Sequence, residues 1–402
     1  MRIVHCEDFF IPDTGYQLNI LARYIQSKGH ENIILTSELK KMPAFLTDFF
    51  GVENIAERDQ EYTRETGVQI IRVPIIKYYS GRSIYRPGHF KKLDSLNPDV
   101  AFFHGEDTYL GIRATWRLKR FPYPILFDDH MTDLASVNPL SPLFRKFYRA
   151  FVAPKINKNM LTVICTADDG FIFEHYGIDR ELGPYIGFGS NLQLFHPDAS
   201  NRHKTRNEFE ISEDDFVVLY AGKLDEAKGG LLLAEAIKES IPSSKNLTFL
   251  IIGNTAATDG NSGYKKQVEE ALMASQNRVI RFPTQPYSKL NKFFQCADAA
   301  VFPKQCSLTF FDVQACGLPV ILEDDYQINI QRLQHNNGVL FKSGDVEDFR
   351  SKIAMVADMP ADEFREMKKS AERFIVENYN YDTIANQYLE IVMRVAKGEK
   401  LS

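Results

Sequence analysis

Two series of short, continuous apolar runs set the limits on what this chain can fold into. In the first half, "RIVHCEDFF", "NIILTS", "VQIIRVPI", "VAFFHG", "PILFDDH" and "LTVICTA" are β-branched or aromatic stretches bounded by turn residues. In the second half, "FVVLYAG", "LTFLIIGN", "RVIRFP", "AAVFP" and "PVILED" repeat the form, with helix-like segments between them. Strands that are apolar along their whole length belong in parallel sheets covered by helices on both faces. Two such series within 402 residues predict an α/β protein of two Rossmann-like, doubly wound domains. The polar stretch "LFHPDASNRHKTRNEFEISEDD" is expected to separate them, which puts the domains at residues 1–200 and 201–382. A last helical segment, residues 383–402, is able to cross back to the N-terminal domain. Two parallel sheets facing each other would place their ligand crevice at the strand C-termini, between the domains.

Composition narrows the class. A chain with 44% hydrophobic and 25% charged residues reads as a soluble globular protein. The start, "MRIVHCEDFF", runs directly into a strand, so no signal peptide is expected, and no apolar run approaches a membrane span. The cysteines Cys6, Cys165, Cys296, Cys306 and Cys316 are odd in number and set in apolar segments, which fits reduced thiols in a cytoplasm. No Cys/His spacing supports a zinc site, and no D-x-D occurs anywhere. The pairs Asp128-Asp129 and Asp324-Asp325 are adjacent rather than spaced, so no metal site is expected.

Charge is unevenly spread. Residues 77–160 hold fourteen Lys/Arg against seven Asp/Glu, so this span carries +7 within a total of −5 and leaves −12 for the rest. Its basic clusters alternate with aromatics in "RSIYRPGHFKK", "RATWRLKRFPYP" and "FRKFYRAF", including Trp116, Phe121, Phe144, Phe147 and Tyr148. Such clusters read either as solvated helix faces or as a surface for an anionic partner. No nucleic-acid-binding module is present, so an anionic membrane surface is the expected partner and nucleic acid is not. The inner face of the membrane is then a peripheral location for a cytoplasmic protein.

One turn concentrates cations. "YAGKLDEAKGG" leaves a strand at Gly222 and enters a helix after Gly229-Gly230, with Lys223 and Lys228 between. Neither a P-loop nor a G-x-G-x-x-G spacing is present, and a plain strand-to-helix turn would also account for the glycines. The physics nevertheless suits an anion: free N–H groups at a helix N-terminus, close approach at glycine, and two lysines.

The ordered motifs "GKLDEAKGG", "LIIG", "FPTQPYSKLNKFFQCADAAVFP", "CSLTFFDVQACGLPVI" and "NNGVLFKSGD" resemble glycosyltransferase family 4, the retaining nucleotide-sugar enzymes of GT-B fold. In the first half, "IPDTGYQLNILARYIQSKGHENIILT", "NPDVAFFHG" and "YIGFGSNLQLFHP" resemble the family at the corresponding places, so the likeness runs from near residue 1 to about 390. The resemblance implies a two-domain GT-B fold, with the nucleotide sugar on the C-terminal domain and the acceptor on the N-terminal one. It implies that Lys223 and Lys228 hold the donor diphosphate, with Lys223 standing where relatives carry arginine and so lacking the bidentate fork. Fixed cations there would stabilise the negative charge left on the departing diphosphate, and no protein nucleophile or metal would be needed. His130 aligns with a family histidine near the donor sugar, although a plain loop histidine is the alternative; His104 is expected to be structural. Gly15 stands where relatives use a glycine pair, Tyr16 replacing the second, while Gly187 and Gly189 shape a turn. Gly222, Gly253, Phe282 and Pro283 fall where the family seats diphosphate and nucleobase.

The resemblance also exposes a departure. Family members carry two glutamates eight positions apart; here the second falls on Asp312 and the first on Lys304. Asp312 retains an acceptor for ribose hydroxyls, or is simply an acid at a helix start. Lys304 cannot act as the sugar-contacting carboxylate, and Gln305, Ser307 and Thr309 offer polar groups in its neighbourhood. The reading is therefore a retaining, metal-independent glycosyltransferase without cofactor. Its donor is UDP- or GDP-linked and its acceptor a glycan or a lipid-linked hydroxyl. A non-catalytic GT-B binding or regulatory subunit and a nucleotide-sugar 2-epimerase are the rivals.

Overall fold

The computed structural model describes residues 1–41, 53–79, 82–132, 139–255, 262–304, 306–325 and 327–399. Two compact units emerge. The first holds the described chain up to Phe188 together with the chain from Asp382 onward, and the second runs over Gly189–Tyr381.

In the first unit the strands are β1 (Arg2–Glu7), β2 (Glu31–Ser37), β3 (Gln69–Val73), β4 (Ile75–Tyr79), β5 (Arg82–Tyr85), β6 (Val100–His104), β7 (Ile125–Asp129) and β8 (Val163–Cys165). Six of them form one sheet in the order β3-β2-β1-β6-β7-β8, every pair parallel. Both faces of β1 are covered: Val4 and Cys6 enter one core with Ala101, Phe103, Ile125 and Phe127, and the alternate Ile3 and His5 are buried too. This is the burial expected of continuous apolar strands.

The segment after β3 departs from the sequence reading. It folds as an antiparallel pair, β4 with β5, so the basic run "RSIYRPGHFKK" is divided between a strand and a helix (His89–Ser95). Its connecting residues 80 and 81 lie outside the described ones.

The second unit repeats the plan with β9 (Phe216–Ala221), β10 (Leu247–Ile252), β11 (Arg278–Phe282), β12 (Ala299–Phe302), β13 (Val320–Glu323) and β14 (Gly338–Phe341). The order is β11-β10-β9-β12-β13-β14, again all parallel. Ahead of it, the polar segment 197–214 contains a helix, Ala199–Glu208, capped by Asp198, whose side chain accepts from the Asn201 N–H. Arg206 on that helix is fully buried, donating to the carbonyls of Cys296, Ser212 and Asp215 and pairing with Asp298. A buried guanidinium with this many acceptors ties the helix to its sheet. The final helix, Tyr381–Ala396, packs in the first unit from Asp382 on, where Gln17 donates to the buried Tyr388 hydroxyl.

Strand order reverses beside β1 in one sheet and beside β9 in the other. In open parallel sheets that reversal splays the flanking loops and opens a crevice beyond the strand C-termini. In the first unit the ends of β1 and β6 lie there, and in the second those of β9 and β12. On the other side of β9, the ends of β9 and β10 approach so closely that Gly253 (φ +141°) has no room for a side chain: a Cβ would lie 1.9 Å from the Gly222 carbonyl oxygen. Gly253→Ala should therefore lower stability by about 2–4 kcal/mol. The measurement is urea denaturation; an unchanged midpoint would contradict this packing.

Candidate functional site

The turn after β9 is built by hydrogen bonds. The Gly222 N–H donates to the Ile252 carbonyl at 2.9 Å, and the Tyr220 hydroxyl donates to the Lys223 carbonyl at 2.5 Å. Asp225 caps a single 3-10 turn, Glu226–Lys228, by accepting from the Lys228 N–H at 2.9 Å. Gly229 then takes φ +70° against Pro303, where a Cβ would come within 2.9 Å of the proline ring. The expectation of free amides at the following helix, Gly230–Ala236, is not met at its first two residues. The Gly230 N–H donates to the Asp225 carbonyl and the Leu231 N–H to the Tyr264 hydroxyl. Side-chain charge, rather than these amides, is what the turn offers.

That charge is crowded. Desolvation holds the Lys223 amine below the usual lysine range, opposed by Asp225 and reinforced by Lys228. Lys228 is likewise lowered by desolvation, with Cys306 and Asp225 opposing and Arg332 reinforcing. Cations gathered so that each disfavours its neighbour's protonated form are relieved by an anionic ligand.

Lys304 joins them from the loop after β12, its Nζ donating to the Glu226 carbonyl at 2.9 Å. The lysine that stands in place of the expected glutamate thus braces the cationic turn. Arg332 is the member that sequence reasoning missed. Its guanidinium lies 2.9 Å from Cys306 Sγ and 3.4 Å from the Ser307 carbonyl, over the rings of Phe310 and Phe311. No motif marks it, because it reaches the site from a short helix, Gln327–Arg332, far along the chain.

The remaining second-unit candidates are placed as follows. Ser307 and Thr309 are half-buried at the start of the helix Thr309–Ala315, and Gln305 lies outside the described residues. Asp312 is buried, and its Oδ1 accepts from the Ser190 hydroxyl at 2.7 Å and the Tyr287 hydroxyl at 3.3 Å. Burial pushes its carboxyl up to about 8, against the two hydrogen bonds. Phe282 packs at a tilt against Phe209 and edge-on against Phe293, its carbonyl taken by the Gly253 N–H. Pro283 is exposed, and its carbonyl accepts from Gln285.

In the first unit, Gly15 is half-buried in the loop before the helix Gln17–Ser27, and Tyr16 is that helix's exposed N-cap. His130 follows β7, its Nε2 3.2 Å from Asp128 Oδ1 and its Nδ1 3.0 Å from Thr166 Oγ1. Asp128 also takes His104 Nδ1 at 2.6 Å, and His104 Nε2 meets His5 Nδ1 at 3.0 Å. Desolvation opposes charge on His130, but Asp128, with Glu7 and Asp129 behind it, outweighs that and raises it to about 9. Burial and the neighbouring His104 push His5 down to about 3.

Among the described residues, His104, Asp128 and His130 are the one group of three that brings possible metal-ligating atoms within 4.8 Å of one another. These atoms also face one another, and His5 Nδ1 and Thr166 Oγ1 within the chain.

Of the aromatics in the basic span, Tyr148 is fully buried and stacked on Tyr176 at 4.4 Å, so it belongs to the core and not to a surface. Phe121 and Phe144 are half-buried. Trp116 and Phe151 are exposed and line one groove with Phe147 and Lys155.

Residues 201–386 match the family described as glycosyl transferases group 1. The match covers just under half of the chain. Over 194 residues the chain is 24% identical to the D-inositol 3-phosphate glycosyltransferase of Segniliparus rotundus, a match covering 48% of this chain and 42% of that protein. The chain spans about half the length of the curated relatives it matches. Among solved structures, a glycosyltransferase from Rickettsia africae matches at TM-score 0.74 and 15% identity, covering 99% of both chains. Anabaena Alr3699/HepE in complex with UDP-glucose matches at TM-score 0.71 and 15% identity, covering 98% of this chain and 99% of that one. The fold is GT-B, with two parallel-sheet α/β units.

The raised carboxyl of Asp312 has a stability consequence. Its unfolded counterpart ionises near the ordinary value of 3.8, whereas the folded group keeps its proton up to about 8. Folding therefore binds the extra proton between those values, and stability falls as pH rises through that window. Urea midpoints should fall from about pH 5 to about pH 9 and fall less in Asp312→Asn. Equal slopes for the two proteins would show that Asp312 is not held protonated.

Proposed function

We propose that the chain is a retaining, metal-independent glycosyltransferase. It takes a sugar from a UDP- or GDP-linked donor to a hydroxyl of a glycan or lipid-linked acceptor, in surface polysaccharide or glycoconjugate assembly. The observation that carries this reading is the gathering of Lys223, Lys228 and Arg332 beyond the end of β9, with Lys304 bracing the turn. Cleavage of the sugar–diphosphate bond leaves growing negative charge on the phosphate, and preorganised cations act most strongly on the charge that develops in the transition state. Those cations can do the work of a divalent ion. The acceptor hydroxyl attacks on the leaving-group face and passes its proton to a diphosphate oxygen, so no protein nucleophile is called for. The second unit serves the donor and the first the acceptor.

Lys228→Ala should weaken nucleoside diphosphate binding by about 10- to 150-fold, since a charge-assisted hydrogen bond contributes roughly 1.5–3 kcal/mol. Single-turnover transfer should fall further, and chelation by EDTA should leave the wild type active. Calorimetric titration with UDP and GDP and a single-turnover assay decide it. Wild-type binding and turnover in the variant would reduce this turn to a plain connection. Binding of nucleotide without any turnover would instead favour a non-catalytic subunit, and a changed sugar on the nucleotide would favour an epimerase.

We further propose that the first unit rests on an anionic membrane surface through residues 77–160, peripheral to the inner face. No described helix is long and apolar enough to cross a membrane. The reading is supported by Trp116, Leu140, Leu143 and Phe151, exposed by 52–68%. Lys155 lines the groove with Trp116, Phe147 and Phe151, and Lys119, Arg120, Lys146 and Lys158 lie in the same basic span. Each cation near such a surface contributes about 1 kcal/mol, so five suffice for reversible binding. Sedimentation should show binding to anionic vesicles that salt and Trp116→Ser both weaken. Equal sedimentation with neutral vesicles would overturn it.

A further inference from the structure

The hydrogen bonds around His130 can be assigned donor by donor. Asn32 Nδ2 donates to the His30 carbonyl at 3.0 Å, so Asn32 turns its Oδ1 to His5 Nε2 at 2.9 Å. An oxygen acceptor there requires a proton on His5 Nε2. The His104 Nδ1 contact with the Asp128 carboxylate at 2.6 Å requires a proton on Nδ1, and the 3.0 Å contact between His5 Nδ1 and His104 Nε2 requires one more. Three protons on two imidazoles give the buried pair one positive charge.

The same count applies to His130. Thr166 has a single hydroxyl hydrogen, and it goes to the Asp129 carbonyl at 2.5 Å. Thr166 Oγ1 must then accept from His130 Nδ1–H, while His130 Nε2 lies 3.2 Å from the carboxylate oxygen Asp128 Oδ1, an ion-pair contact that calls for a proton on that nitrogen. Both ring nitrogens carry protons, and both are held by fixed partners. The side chain nevertheless keeps 38% of its surface open, with Phe188 stacked on the ring at 6.0 Å.

We propose that His130 works as a fixed imidazolium, supplying charge and no proton, and that Asp128, clamped by the His5–His104 pair, is the positioning residue that keeps it so. The assignment rests on geometry, and its meaning for catalysis rests on the transferase reading above. Facing His130 are Asp128 and Asp129 from β7, Glu7 from β1 and His104 from β6. The raised value of about 9 agrees in sign: the cation persists below that pH and is lost as pH rises through it.

The test is long-range proton–nitrogen NMR on the full chain labelled at histidine, with His130→Gln used to assign the signals. At about pH 7.5 both His130 nitrogens should show the shifts of a protonated imidazolium, and the titration midpoint should drop by at least about one unit in Asp128→Asn. A neutral tautomer of His130 in the wild type overturns the proposal without any variant, and so does an unmoved midpoint in a folded Asp128→Asn. In transfer assays, His130→Lys should keep more activity than His130→Gln, and turnover should fall only as pH passes about 9. A limb near the ordinary histidine range would make His130 a proton shuttle and contradict the assignment. If no sugar is transferred at all, the transferase reading fails, and the NMR result still decides the protonation of His130.

Discussion

A strand buried on both faces leaves its chemistry only one outlet, the chain end. Both units of this protein obey that constraint. The ends of β9 and β10 are drawn together until the Gly222 carbonyl occupies the space of a Gly253 side chain. Lys223 and Lys228 then leave the sheet edge at the point where strand order reverses. In the first sheet the same reversal brings His5, His104 and Asp128 to adjacent strand ends, with His130 just beyond. The two clusters differ in how charge is compensated. In the second unit cations crowd one another, with Asp225 as their near acid, whereas in the first Asp128 lies between imidazoles on either side.

Local signals explain what was legible in the sequence. The run "FVVLYAG" became β9 and stopped at Gly222 because continuous apolar character and a following glycine are both properties of neighbouring residues. The lysines of the turn were visible for the same reason. Long-range contacts were not legible. Arg332 meets Cys306 across twenty-six residues, and His5 meets His104 across ninety-nine. Nothing in either local stretch announces such a partner. The β4–β5 pair was hidden under charge and aromatics that read as a surface cluster, and Tyr148 was assigned to that surface although it stacks in the core.

Lys304 shows how a substitution against a family pattern is better understood from its contacts than from its column. A lysine cannot accept hydrogen bonds from a sugar, and here its amine turns to the Glu226 carbonyl. The change moves positive charge onto the turn after β9, where Lys223 offers charge but no bidentate fork. One cation in the loop after β12 thus compensates in charge, though not in geometry, for a guanidinium absent from the turn after β9.

The central claim is that the turn of residues 222–230 receives a nucleoside diphosphate. Hydrogen–deuterium exchange, compared with and without saturating UDP or GDP, reads that turn directly. The account predicts slower exchange over residues 222–230 and around 306–309 with at least one of the two nucleotides, and no change over the helix Tyr109–Arg117. Unchanged exchange at residues 222–230 with both nucleotides would contradict it.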